Sequence, residues 1–156
     1  MKTLEPILKE HLFFKKLDSK YIKLITGCAT NARFKAGEFV FKEGQNADKF
    51  YLIREGKIAL QIPCPAHGAI TIQTVSSNEV LGFSWLFSPY KWSFDAKVIE
   101  EVRVLEIDGK CLRKKCEEDH DLGYELQKRF AQIMLERLQA TRLQLLDLYE
   151  TPSKKR

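Results

Sequence analysis

Residues Ala36 to Ile62 read AGEFVFKEGQNADKFYLIREGKIALQI, and the alternation inside this stretch decides the fold. Phe39-Val40-Phe41, Phe50-Tyr51-Leu52-Ile53 and Ile58-Ala59-Leu60-Gln61-Ile62 are short runs of aromatic and β-branched residues, the composition of strands. Ala36-Gly37-Glu38, Glu43-Gly44-Gln45 and Glu55-Gly56-Lys57 separate them. A glycine in each admits the positive φ that tight turns require. Closely spaced short strands of this kind point to an antiparallel sandwich or barrel.

Working outward, Arg33-Phe34 and Ile70-Thr71-Ile72-Gln73-Thr74-Val75 extend the same pattern, so the strands run from Asn31 to Val104. Pro63-Cys64-Pro65-Ala66-His67-Gly68 reads as a longer loop, because prolines cannot donate to a sheet ladder. Before the strands, to about Thr30, the spacing of Leu4, Ile7, Leu8, Leu12, Phe13 and Phe14 is helical. A second short helix follows, capped by Asp18 or Ser19 and burying Tyr21, Ile22, Leu24 and Ile25. After the strands, Asp108 caps a short helix with Cys111, Leu112 and Cys116 on one side.

A long helix is expected from about Asp121 to Tyr149. Leu122, Leu126, Phe130 and Ile133 form a stripe suited to docking on the barrel. Ala131, Met134, Leu138, Thr141, Leu145 and Leu148 step alternately by three and four residues, a heptad seam of the kind that pairs helices. Such a helix reaches ~40 Å at about 1.5 Å per residue, beyond the body of a small barrel, so the seam is expected to make a two-fold homodimer. The division is one domain over 1–156: N-terminal helices 1–30, a β-roll 31–107, C-terminal helices 108–150 and a basic tail 151–156. The fold class is α+β, mainly β, a jelly-roll-like double-stranded β-roll.

The 156 residues are 44% hydrophobic and 11% aromatic, enough to fill a core without metal or cross-links. No apolar run approaches the ~18 to 20 residues that span a bilayer, and charge interrupts MKTLEPILKEHL, unlike a signal peptide. The expected location is cytoplasmic, with no membrane partner. Cys28, Cys64, Cys111 and Cys116 show no CxxC, which speaks against a zinc cage or redox dithiol and for buried or idle thiols. The net charge of +5, from 26 basic and 21 acidic residues, lies partly in Ser153-Lys154-Lys155-Arg156 and permits nucleic-acid contact without arguing for it.

On Gly37-Glu38, Phe41, Glu43-Gly44, Ala47-Asp48, Phe50-Tyr51-Leu52-Ile53 and Gly56 the stretch resembles the cyclic-nucleotide-binding domain of catabolite-activator-type regulators, cyclic-nucleotide-dependent kinases and related channels. The resemblance implies two N-terminal helices, about eight strands, a short helix and a long final helix. It also implies a ligand cassette reading roughly F-G-E-x-A-L, a short helix, then P-R-A-A-T, in which glutamate takes the ribose hydroxyl while arginine and the helix N-terminus hold the phosphate. Here LGFSWLFSPYKWSFDAK, Leu81 to Lys97, occupies that place. Gly82 matches the glycine and Leu86 fits the short helix, but Phe83 stands for the glutamate and Trp92 for the arginine. Each lost hydrogen bond to a charged group removes ~1.5–3 kcal/mol. Tight binding of cAMP or cGMP in the family's manner is therefore not expected.

Two readings of the cassette stay open. Gly82, Phe83, Ser84, Trp85, Lys91, Trp92, Ser93 and Phe94 could line a site for another small anionic or planar ligand, with Lys91, Ser84 and Ser93 as partial anchors. Alternatively the aromatics fill their own pocket, which is favoured because large side chains at a cavity rim usually occupy it. Asp95 faces either pocket or solvent, with solvent favoured. The expected role is a non-catalytic regulatory or sensory module, with a small effector or a regulatory protein as partner and no cofactor assigned. An interaction scaffold and a truncated regulator are the alternatives. The chain stops about where a helix-turn-helix would begin, so no sequence-specific DNA binding is expected. Catalysis is not expected: His67 lies near Cys64 without an orienting carboxylate at a legible spacing, and His11 and His120 read as helix-end or surface residues.

Overall fold

A computed structural model describes residues 4–154. The N-terminal segment forms α1 (Glu5–Glu10), a 3-10 turn (Leu12–Phe14) and α2 (Ser19–Thr26). The Asp18 side chain accepts the Lys20 N–H at the start of α2, as the sequence leads one to expect. Helical structure ends at Thr26 rather than Thr30, because β1 (Ala29–Phe34) already pairs with a later strand from Ala29 onward.

The remaining strands are β2 (Phe39–Phe41), β3 (Lys49–Cys64), β4 (Gly68–Val75), β5 (Val80–Leu81) and β6 (Asp95–Asp108). They form one antiparallel sheet in the order β1-β6-β3-β4, with β2 also on β6 and β5 also on β3. Six strands therefore stand where about eight were expected, since β3 and β6 are long and irregular and each does the work of two. Gly56 is the reason β3 continues. Its φ of +99° makes a bulge, and its missing Cβ leaves room for the Glu101 carbonyl and Val102 of β6. A local glycine signal is the same for a bulge and a turn, so the expected turn at 55–57 is corrected here. The expected loop at 63–68 is also corrected: Pro63 pairs with Ala69 in the ladder, and only Pro65, Ala66 and His67 connect β3 to β4. Pairing with β6 ends at Gln61, so β3 has β4 alone beside it at Pro63, an edge position that tolerates proline.

Then come α3 (Gly109–Glu118), capped by Asp108 whose carboxylate accepts the Cys111 N–H, and α4 (His120–Lys154). The α4 backbone continues to Lys154, into the stretch read as a basic tail; Lys155 and Arg156 lie outside the described residues. Two cores result. Phe50, Leu52, Leu105 and Ile107 face the helices, joined by Leu8, Phe14, Ile22, Ile25, Leu112, Leu122, Leu126 and Phe130. Tyr51, Ile53, Val102 and Val104, one residue out of step, point into the roll with Phe41, Ile58, Leu60, Leu81 and Val98. The unbroken run Phe50-Tyr51-Leu52-Ile53 is apolar throughout because both its faces are buried.

Cys28 and Cys111 form a disulfide, with Cα atoms 5.8 Å apart, which corrects the expectation of idle thiols for this pair. No local motif announces it, since 83 residues separate the two. Cys64 and Cys116 are free.

Candidate functional site

The aromatic run from Leu81 to Lys97 is divided between the two cores. A 3-10 turn (Ser84–Leu86) follows Gly82 and sends Trp85 to the helix side, where it stacks on Phe50 at 4.8 Å and meets Phe130 edge-on at 5.6 Å. Its Nε1 is buried without a hydrogen-bond partner among the described residues. Phe83, at the N-terminus of this turn, packs edge-on against Phe130 at 5.7 Å. The Arg137 guanidinium of α4 lies 4.8 Å from the Phe83 ring centre and donates from Nη2 to the Val80 carbonyl. Burial pushes the Arg137 pKa down, opposed by the nearby charges of Glu79 and Glu136.

Trp92 goes the other way, into the roll. Only 4% of it is exposed, and its ring stacks on Phe41 with centroids 3.7 Å apart and planes 6° from parallel. The same ring covers Gly82. A Cβ built there would lie 2.6 Å from Trp92 Cη2, and the φ of +102° at Gly82 independently favours glycine. Backbone hydrogen bonds hold Trp92 in place: its N–H donates to the Gln45 carbonyl at 3.0 Å, and its carbonyl accepts from Gly44 at 2.9 Å. The neighbouring Ala47 N–H donates to the Tyr90 carbonyl at 2.7 Å.

The remaining cassette residues diverge. Lys91 is exposed and its ammonium donates to the Asn46 side-chain oxygen. Ser93 is exposed, Ser84 half-buried, and Phe94 half-buried against Phe41 at 5.7 Å. Asp95 accepts the Glu43 N–H at 2.8 Å, so it staples the turn after β2 and is neither a pocket ligand nor an idle surface charge. Beside Trp92 the open space amounts to about 210 Å³, bounded by Phe41, Gln45, Asn46 and Tyr51. Larger grooves flank α4: about 480 Å³ beside Leu12, Val80, Arg129 and Arg137, and about 500 Å³ beside Trp85, Tyr90, Arg113 and His120.

His11 does stand at a helix end, closing α1 and capping the 3-10 turn, but it is not a surface residue. It is 4% exposed, its Nδ1 accepting the Phe13 N–H at 3.1 Å and its Nε2 donating to the Ile53 carbonyl at 3.1 Å. Burial lowers its pKa, with the Ile53 hydrogen bond acting weakly the other way. His67 and Cys64 flank the β3–β4 turn, where the His67 backbone N–H donates to the Cys64 carbonyl at 3.2 Å.

Of the seam residues, Met134 packs partly against the helix-side core and Ala131 is exposed. Thr141 donates to the Arg137 carbonyl at 2.9 Å, as serine and threonine hydroxyls do on exposed helix faces. Leu138, Leu145 and Leu148 are 47%, 50% and 69% exposed, and every described residue of α4 from Leu138 to Tyr149 is exposed. Leu122, Leu126 and Phe130 are buried on the body, and Ile133 packs beside them.

Comparison with known proteins places this architecture. The family model for the cyclic nucleotide-binding domain matches residues 32–119, and the chain belongs to that family. It is similar to the CRP-like cAMP-activated global transcriptional regulator of Mycobacterium tuberculosis, 24% identical over 148 residues covering 95% of this chain and 64% of the regulator. The chain thus spans less than two thirds of that relative's length. Among solved structures it is similar to one named for cyclic nucleotide binding from Geobacter metallireducens GS-15, with a TM-score of 0.77 and 30% identity over 86% of this chain and 97% of the other. A cyclic nucleotide-binding domain from Methylobacillus flagellatus KT shares the fold, with a TM-score of 0.81 at 15% identity over 94% and 86% of the two chains.

Proposed function

We propose that this chain is a non-catalytic regulatory module whose ligand cassette is filled by its own side chains, and that it works as a homodimer through α4. One observation carries the first half: Trp92 packs over Gly82 and against Phe41 where the family's phosphate-holding arginine would stand. An arginine there presents a fork of donors to an anion; an indole offers a single N–H and fills the space. At the second anchor position Phe83 is turned toward Phe130 and Arg137, so no carboxylate meets a ribose hydroxyl. Cyclic-nucleotide binding of the kind named for the mycobacterial relative is therefore not carried over to this chain. The second half is supported by the exposed leucines of α4, whose burial against a second copy would remove apolar area from water.

Calorimetric titration with cAMP and with cGMP tests the cassette. No saturable heat is the expected result. One-to-one binding per chain would overturn the reading, because Trp92 would then have to leave Gly82.

A further inference from the structure

The disulfide sits where the cassette and the long helix are both within reach of one rigid element. We propose that Cys28 and Cys111 are a reversible thiol–disulfide site, opened by a dithiol reductant, whose state resets the seat of α3 beneath Trp85. This goes beyond the filled-cassette reading and does not depend on whether any ligand binds.

Three hydrogen bonds anchor the same junction without the sulfurs. The Asp108 N–H donates to the Cys28 carbonyl at 2.9 Å, Asp108 accepts from Cys111 N at 3.1 Å, and the Gly109 N–H donates to the Asp48 carbonyl at 2.7 Å. At the far end of α3, Lys115 Nζ donates to the Leu24 carbonyl at 2.7 Å. Reduction therefore leaves the fold intact and the two thiols side by side, which makes reclosure facile. A cross-link that can open without unfolding its domain behaves as a switch rather than a staple.

What changes on opening is distance. Two sulfurs released from a bond move to van der Waals contact, an increase of about 1.5 Å. Cys28 lies in the turn leading into β1, which is paired with β6 along its whole length, so the displacement is taken up in the first turn of α3, between the anchors at Gly109 and Lys115. That helix touches the cassette directly: a Cβ at Gly109 would lie 3.1 Å from Trp85 Cε3, and Arg113 donates to the Trp85 carbonyl while lying 4.3 Å from the Tyr90 ring centre. It also touches α4, where Gly123 rests against Cys116.

One thiolate of the reductant attacks Cys111 Sγ, the more accessible sulfur, since Cys28 is buried. The Cys28–Cys111 bond breaks, and Cys28 leaves as a thiolate and takes a proton. The reductant's second thiol then attacks its own sulfur in the mixed disulfide, freeing Cys111 as a thiol. The reductant has lost two electrons and becomes a disulfide. Cys116 stays a bystander: burial, with Asp119 and Glu117 nearby, pushes its thiol up to about 11, leaving it protonated.

The test equilibrates the full chain, without denaturant, in buffers of varied ratio of reduced to oxidised dithiothreitol. After acid quench traps the thiols, maleimide labelling in denaturant, read by intact mass, counts two cysteines when the pair is closed and four when it is open. Emission of Trp85 is followed in a Trp92→Phe variant, and amide exchange over 84–92 in the wild-type chain. The expected result is reversible opening, with faster exchange over 84–92 and an emission change tracking the four-label state. Cys28→Ser with Cys111→Ser should abolish the response, and Cys116→Ser should keep it. A pair that stays closed in excess reduced dithiothreitol, never closes in the oxidised form, or opens with no change in exchange or emission overturns the proposal.

Discussion

Arg137 of α4 lies over the ring of Phe83 at 4.8 Å while its Nη2 donates to the Val80 carbonyl, so the long helix is fastened to the first residue of the cassette turn. A cation over an aromatic face contributes about 0.5–2 kcal/mol as it loses water. The charged hydrogen bond contributes about 1.5–3 kcal/mol more. Arg137→Ala is expected to lower stability by about 2–5 kcal/mol in urea unfolding. Arg137→Lys should recover only part of it, because a point-like ammonium cannot stack as guanidinium does. Full recovery of stability by Arg137→Lys would show that the planar contact contributes nothing.

Gly82→Ala combines two penalties. A methyl at φ +102° is strained, and it would press on the Trp92 ring edge. Since Trp92 is stacked on Phe41 and hydrogen-bonded through its backbone on both sides, it has little freedom to yield. A destabilisation of about 2–4 kcal/mol is expected, read as a drop in urea midpoint at unchanged slope. Combining it with Trp92→Phe, which shortens the ring edge, should cost less than the sum of the two single changes.

Trp92→Ala asks whether the pocket is held closed by this one side chain. Loss of a buried aromatic costs about 3–5 kcal/mol. The void left between Phe41 and Gly82 is apolar and indole-shaped, so free indole should raise the melting temperature of the variant and leave the wild type unchanged. No difference in indole response between the two would mean that the roll collapses onto the vacancy.

How far the chain could be read beforehand depended on how local each signal was. Helix caps at Asp18 and Asp108 and the stripe Leu122, Leu126, Phe130 were legible because their partners lie within a turn or follow a helical period. The substitutions at Phe83 and Trp92 were visible against the family pattern, but not that they face opposite cores. A 3-10 turn between them breaks any periodicity that would assign a face. The bulge at Gly56, the Cys28–Cys111 bond and the burial of His11 against Ile53 all depend on partners some forty residues away or more. Nothing in the neighbouring residues encodes them.

The leucines of α4 give a prediction about assembly. Leu138→Lys with Leu145→Lys places charge in the expected seam without touching the buried stripe at Leu122, Leu126 and Phe130. Light scattering after gel filtration should report a dimer for the wild type and a monomer for the variant, with the melting transition of the body retained. A wild-type monomer at all concentrations would remove the pairing reading.

His11 makes stability depend on pH. With Nδ1 accepting from Phe13 and Nε2 donating to Ile53, the ring is held neutral, and burial sets its folded pKa below the usual 6.5 of a free imidazole. Between the two pKa values the unfolded chain binds more protons than the folded one, so stability rises with pH there. The contribution is fully present above about pH 6.5, is lost as pH falls from there toward the folded pKa, and is flat below it. A single proton limits the slope to about 1.4 kcal/mol per pH unit. His11→Gln, which keeps a donor and an acceptor, should be less stable near neutrality and lose most of the dependence between pH 5 and 7, as urea unfolding across that range would show. A slope unaltered by the substitution would assign the pH dependence to other groups.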